Sequence, residues 1–136
     1  MNVGILILAI MNMLVGILFV ALCRPLVQGK IGRNGLYGFR TPKTLASDKA
    51  WYAANHGVAK AGVSMSIGMV IFGIVLALLS LVMTLLPSTI RDYLEPTLLI
   101  AAVASPLLLV VGLWVAMSIE LKKLDKDSLA DPEQML

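Results

Sequence analysis

The chain has 136 residues, of which 59% are hydrophobic and only 14% are charged, and its mean hydropathy is +0.91. A soluble domain is roughly 45–50% apolar and about 25% charged. The composition therefore excludes a small water-soluble domain, and it excludes a disordered chain because disorder requires a polar, charge-rich sequence. The single cysteine excludes an intramolecular disulfide framework. The class that remains is an integral membrane protein with a single membrane domain.

Three long stretches contain no charged residue, and they cover residues 3–23, 61–86 and 97–119. A membrane-spanning helix needs about 20 apolar residues, so each stretch is long enough. Helix is the expected form, because three strands cannot close a barrel and open sheet edges are not tolerated in lipid. The predicted fold class is all-α, integral membrane, with three transmembrane helices. A cleaved signal peptide is an alternative for the first stretch, although its length and the lack of a preceding basic residue oppose this.

Basic residues are distributed unevenly between the two sides that three spans create. Residues 24–60 contain seven Lys or Arg, and the C-terminal tail, residues 120–136, contains three more. The opposite side has only Arg91. Cytoplasmic segments of membrane proteins carry an excess of Lys and Arg. The sequence therefore predicts an N terminus outside the cell, with residues 24–60 and the C terminus in the cytoplasm.

Residues 24–41 form a predicted Gly-rich loop, in which four glycines follow one another at every third position. Glycine permits positive φ angles and close approach of the backbone. The interleaved Arg33, Asn34 and Arg40 indicate a loop that offers N–H and guanidinium groups to an anion. The alternative interpretation is a tight turn at the membrane surface, with the basic residues contacting lipid phosphates.

Residues 42–57 are predicted to form a cytoplasmic interfacial helix after this loop. Thr41 is a good N-cap, and Pro42 then occupies the first helical position, where its missing N–H costs nothing. Gly57 is a candidate stop or hinge before the second span. An amphipathic helix lying against the headgroups is one interpretation of this segment.

Helical spacing divides the same segment into three stripes, each composed of residues three or four positions apart. A polar stripe contains Thr44, Asp48, Trp51 and Asn55, a neighbouring stripe contains Leu45, Lys49, Tyr52 and His56, and a small-residue stripe contains Ala46, Ala50, Ala53 and Gly57. The polar stripe is a candidate ligand site, or a lock that holds the loop through Arg40 and Asp48. The small stripe is expected to pack closely on a neighbouring helix. The two aromatic residues are typical of the membrane–water interface.

The run Asn34-Gly35-Leu36-Tyr37-Gly38-Phe39-Arg40-Thr41, followed by Thr44-Leu45, Trp51 and Asn55, resembles the signature of the SdpI/YfhL family. These are bacterial membrane proteins named for an immunity protein against a secreted killing peptide. The resemblance covers roughly residues 24–66. It implies a bacterial cytoplasmic membrane and a functional or structural role for the signature positions, which are Asn34, Tyr37, Gly38, Arg40, Thr41, Thr44, Trp51 and Asn55.

The candidate ligand-binding residues combine the loop with the polar stripe, and they are Arg33, Asn34, Tyr37, Arg40, Thr44, Asp48, Trp51 and Asn55. The resemblance implies immunity or protection against a membrane-active antimicrobial peptide toxin. The alternative is a small oligomeric transporter or a protein that binds lipid headgroups. An enzyme is least favoured, because no nucleophile, base and orienting group come together in the sequence. The expected partners are membrane lipids, a peptide toxin and further copies of the chain, with no nucleic acid and no cofactor.

Two further polar residues have alternative interpretations. Asn12 lies near the middle of the first predicted span, where an amide either joins two helices or lines a polar pathway. His56 is the only histidine and has no cysteine pair or carboxylate cluster at ligand spacing, so no metal site is predicted. The three predicted spans contain no ionisable residue, which weakens the case for proton-coupled transport.

Overall fold

The computed structural model describes the backbone of residues 2–130 and the side chains of residues 2–127. Helix α1 comprises Val3–Val27, helix α2 comprises Asp48–Val82 and helix α3 comprises Ser88–Ala130, with a short 3₁₀ helix at Met83–Leu85 after α2. The described residues contain no strand. Residues 120–130 of the predicted tail belong to α3, and residues 131–136 lie outside the described residues.

All three helices are long and apolar enough to cross a membrane. Between 17% and 28% of their most apolar stretches is buried within the protein, so most of the apolar surface remains available to lipid. In water this much exposed apolar area would be unfavourable by about 25 cal/mol per Å². The predicted all-helical fold with three candidate membrane spans is therefore confirmed.

The separate interfacial helix predicted over residues 42–57 is not supported. Thr41 does act as a cap, since its Oγ1 accepts a hydrogen bond from Thr44 N–H at 3.2 Å. The helical turn that it begins ends near Ala46, because Ser47 starts a new helix by accepting the N–H of Ala50 at 3.1 Å. From Asp48 the chain continues without interruption into α2. The predicted interfacial helix is thus a single turn followed by the first part of a membrane-spanning helix.

Gly57 does not end a helix, and its role is to permit close packing. It lies inside α2, and a Cβ at this position would lie 2.4 Å from the carboxyl carbon of Glu120 on α3. Ala50, from the same predicted small-residue stripe, is buried with Ala54 and Leu124. The expected close packing on a neighbouring helix is therefore found at two positions of the stripe, whereas Ala46 and Ala53 are exposed.

The described residues group into two compact units. The first unit contains the described parts of Met1–Phe19 and Met65–Val110. Its core brings together Ala9, Leu76 and Ala102 from the three helices. Small residues bring the backbones close here, because a Cβ at Gly16 would lie 2.8 Å from the carbonyl oxygen of Ser66.

Asn12 is buried in the first unit and joins α1 to α3. Its Nδ2 donates to the carbonyl oxygens of Leu8 at 2.8 Å and Ala102 at 3.0 Å, and its Oδ1 accepts the hydroxyl of Ser105. The amide is thus engaged on both of its polar atoms. Of the two sequence interpretations, this geometry favours the contact between helices.

The second unit contains the described parts of Val20–Ser64 and Val111–Leu136. It includes the end of α1, the start of α2, the end of α3 and the segment between α1 and α2. We call this segment, residues 28–47, the signature loop. One core cluster of the unit is formed by Cys23, Leu26 and Ala59, and Tyr37 and Phe39 of the loop pack against it. The loop is therefore part of the hydrophobic core of this unit.

Candidate functional site

Trp51 anchors the first part of the signature loop. Its side chain is fully buried, and its indole Nε1 donates a hydrogen bond to the carbonyl oxygen of Ile31 at 2.9 Å. A buried indole N–H needs such an acceptor, and here the acceptor belongs to the main chain. Trp51 therefore packs inside the protein, whereas Tyr52 beside it is exposed.

Asn55 holds the loop one turn further along α2. Its side chain is 2% exposed, its Oδ1 accepts the N–H of Phe39 at 2.7 Å, and its Nδ2 donates to the carbonyl oxygens of Phe39 at 3.3 Å and Trp51 at 3.0 Å. One amide thus engages both backbone polar groups of a single loop residue. Burying an amide without partners would cost several kcal/mol, and these bonds avoid that cost.

Thr44 binds backbone groups of the loop from a buried position. It is fully buried, and its Oγ1 accepts the N–H of Thr41 at 2.8 Å. The same hydroxyl lies 3.0 Å from the carbonyl oxygen of Phe39 and 3.1 Å from that of Thr41, its two possible acceptors. Backbone groups on both sides of Arg40 are therefore bound by buried side chains.

Asn34 organises the glycine-containing turn of the loop. Its Oδ1 accepts the N–H groups of Leu36 at 2.8 Å and Tyr37 at 2.7 Å, and its Nδ2 donates to the carbonyl oxygens of Gly32 at 2.8 Å and Tyr37 at 3.1 Å. This is the local side-chain-to-backbone bonding that favours Asn in turns. The amide satisfies backbone groups of its own loop, so its role here is structural.

Tyr37 ties the loop to the end of α1. Its hydroxyl donates to the carbonyl oxygen of Leu22, and its ring packs against the cluster that contains Cys23. Burial raises the pKa of the Tyr37 hydroxyl above its ordinary value, so the proton that makes this hydrogen bond is retained. The residue that follows, Gly38, has a φ of 112°, a conformation that side-chain-bearing residues rarely adopt.

Arg33 of the loop forms an ion pair with Asp48 at the start of α2, at 3.1 Å between Nε and Oδ1. Arg33 also donates from Nη1 to the carbonyl oxygen of Leu45 at 2.9 Å. The two side chains are 41% and 72% exposed, so the pair contributes less than about 1 kcal/mol to folding. The Arg40–Asp48 contact considered as one interpretation of the sequence is not formed among the described residues.

Arg40 differs from the other candidate residues because its side chain is exposed and is not used by the fold. Within the described part of the chain it makes no hydrogen bond or ion pair. Its neighbours Phe39 and Thr41 are held by Asn55 and Thr44, so the position from which the guanidinium projects is well defined. The structure therefore presents Arg40 on a fixed segment of backbone.

The eight candidate residues lie in one unit. Three of them are buried and bind the main chain of the loop, namely Thr44, Trp51 and Asn55. Their partners Ile31 and Phe39 were not predicted from the sequence, because every residue type has the same backbone groups and so none points to these two positions. No group of three or more His, Cys, Asp or Glu residues that could hold a metal occurs among the residues described.

No curated protein and no solved structure is similar enough to this chain to count as a match. The family model of the SdpI/YfhL protein family matches residues 30–121, which include most of the signature loop, all of α2 and most of α3. This is well over half of the chain, and it extends beyond the signature residues into two of the candidate membrane spans. The chain therefore belongs to the SdpI/YfhL protein family and is a multi-pass membrane protein.

Proposed function

We propose that this protein protects a bacterial cell against a membrane-active antimicrobial peptide. The presentation of Arg40 carries the proposal, because a fold that uses buried side chains to position an exposed, unpaired guanidinium provides a recognition group. A guanidinium binds carboxylates with two parallel hydrogen bonds, and peptides offer carboxylates at acidic side chains and at the C terminus. Family membership supports the same function, since the family is named for an immunity protein.

The proposal includes an orientation in a bacterial cytoplasmic membrane, with the N terminus outside and the signature loop in the cytoplasm. The excess of Lys and Arg in residues 24–60 supports it. A reporter enzyme active only in the cytoplasm, fused after Leu136, is expected to be active, and one active only outside is expected to be silent. The reverse pattern would contradict the orientation. With the loop inside, a secreted peptide must cross the bilayer to reach Arg40, or protection must be indirect.

Protection is tested by expressing the chain in a susceptible bacterium and measuring survival and membrane depolarisation with a panel of membrane-active bacterial peptides. We expect at least one peptide to be tolerated, and we expect Arg40→Ala to abolish that tolerance. Arg40→Lys is expected to restore only part of it, because an ammonium cannot make the paired hydrogen bonds of a guanidinium.

Lys126→Ala is the matched control, since it also removes one exposed positive charge but lies on α3. It is expected to protect like the wild type. Membrane fractions must contain equal amounts of each variant. Failure of the correctly inserted wild type to protect against every peptide would contradict the function, and full protection by Arg40→Ala would contradict the role of Arg40.

The alternative of a small oligomeric transporter receives less support. The buried polar residue of α1, Asn12, uses its amide for contacts with α1 and α3 in the first unit, and so does not favour a polar pathway. The other alternative, binding of a lipid headgroup, is favoured by a separate observation in the second unit, which is developed next.

A further inference from the structure

A groove lies between the end of α1 and the first part of α2, within the second unit. Its volume is about 430 Å³, at the lower end of the range of ligand pockets. It is lined by Leu26, Val27, Gln28, Gly29, Tyr52, Ala53 and His56. None of the eight residues selected from the sequence lines it, so the groove is distinct from the segment that presents Arg40.

The polar groups of the groove are free to bind a ligand. Within the described residues, the side-chain amide of Gln28 and the hydroxyl of Tyr52 have no hydrogen-bond partner. The imidazole of His56 uses one nitrogen, Nδ1, which lies 3.0 Å from the carbonyl oxygen of Val27. A carbonyl oxygen only accepts hydrogen bonds, so Nδ1 must carry the hydrogen. The other nitrogen, Nε2, has no hydrogen-bond partner within the described residues.

Basic residues lie close in sequence to these polar groups. Arg24 lies one turn before Gln28, Lys30 follows Gly29 directly, and Lys60 lies one turn after His56, and all three basic side chains are exposed. No residue that lines the groove is acidic. Three acidic side chains of the second unit are paired with cations elsewhere, in the pairs Arg33–Asp48, Lys43–Asp125 and Lys123–Glu120. The charge around the groove is therefore complementary to an anion.

One wall of the groove is apolar and continues along α1. Leu26 and Val27 contribute it, and Leu22, one turn earlier, is 42% exposed on a helix that can cross a membrane. A free inorganic anion would gain nothing from this surface, whereas an amphiphile would bury apolar area against it. We propose that the groove binds the phosphate headgroup of an anionic phospholipid, with Tyr52 and Gln28 donating to the phosphate.

The test uses the purified full chain in detergent and native mass spectrometry with added short-chain phosphatidylglycerol or phosphatidylcholine. We expect phosphatidylglycerol to be retained about tenfold more strongly than phosphatidylcholine. Tyr52→Phe removes one donor to a charged group and is expected to weaken phosphatidylglycerol retention about tenfold. Tyr93→Phe is the matched control, because Tyr93 is an exposed tyrosine of the first unit, and it is expected to change nothing.

Ala53→Trp provides a second variant that removes no polar group. Ala53 is exposed in the groove, so an indole there should fill the space without disturbing the core, and phosphatidylglycerol retention should be lost. Equal retention of the two lipids by the wild type would overturn the proposal, as would unchanged retention in both Tyr52→Phe and Ala53→Trp. Complete displacement of phosphatidylglycerol by millimolar inorganic phosphate would show a site for free anions. The inference does not depend on peptide protection, and the two experiments can fail separately.

Discussion

Replacement of Trp51 by alanine is expected to lower the free energy of unfolding by about 3–5 kcal/mol, the usual range for truncation of a fully buried large aromatic residue. The side chain has no exposed surface, and its Nε1 donates to Ile31 of the signature loop. The substitution therefore leaves a cavity and an unpaired backbone carbonyl. Thermal or denaturant unfolding in detergent micelles, followed by circular dichroism, measures the loss. Limited proteolysis should cut the loop faster.

The matched control is Trp114→Ala. Trp114 is 71% exposed on α3, so its truncation creates no cavity and is expected to change stability by less than about 1 kcal/mol. Equal losses for the two tryptophans would show that Trp51 does not anchor the loop. A protein with Trp51→Ala that is destabilised while its loop remains as resistant to proteolysis as in the wild type would contradict the anchoring role specifically.

Gly38→Ala is the second substitution expected to have a large effect. The φ of Gly38 is 112°, and a Cβ would lie 2.7 Å from Oδ1 of Asn55 and 2.9 Å from the ring of Trp51. Backbone strain and overpacking each cost about 1–3 kcal/mol, so we expect a loss of about 3 kcal/mol. The new methyl group displaces the amide that binds Phe39, and the same unfolding measurement should detect the loss.

Substitutions at two other glycines of the loop distinguish the cost of backbone strain from the cost of overpacking. Gly35 has open space around it and no positive φ, so Gly35→Ala is expected to be neutral or to stabilise by up to about 1 kcal/mol. Gly29 has a φ of 64° in open space, so Gly29→Ala should cost about 1–2 kcal/mol from conformation alone. Equal effects at all three positions would contradict the close contact of Gly38 with Asn55 and Trp51.

The three candidate spans could be predicted from the sequence because they depend on composition over about 20 residues, and that signal is additive. The beginning of α2 depends on a local competition. Thr41 and Ser47 are both good N-caps, so the sequence allows a helix to start after either of them. The choice depends on the Thr44 hydroxyl, which is hydrogen-bonded to backbone groups of residues 39 and 41. These hydrogen bonds exist only in the folded protein, so the sequence alone predicted one helix from residue 42.

The candidate site, like the fold, could be predicted only in part from the sequence. Helical spacing placed Thr44, Trp51 and Asn55 in one stripe of a continuous helix. Trp51 and Asn55 do lie on α2, whereas Thr44 lies in the turn before it, and all three bind the backbone of the loop. The spacing did not distinguish a ligand-binding stripe from one that binds the protein's own loop. Their partners are backbone groups of Ile31, Phe39 and Thr41, which any residue type could supply. The groove beside His56 was missed for a related reason, because Gln28, which follows α1, is distant in sequence from Tyr52 and His56 on α2.

The way in which Asn55 binds residue 39 has a consequence for how this loop can vary. The carboxamide of Asn55 directs its oxygen and one of its two N–H groups at the backbone of Phe39, so it takes the place that a neighbouring β-strand would occupy. Such pairing involves only the backbone groups of residue 39, so it does not depend on which side chain that residue carries. Exposed positions of the loop can therefore exchange their side chains while the path of the chain stays fixed, which allows one scaffold to display different recognition surfaces.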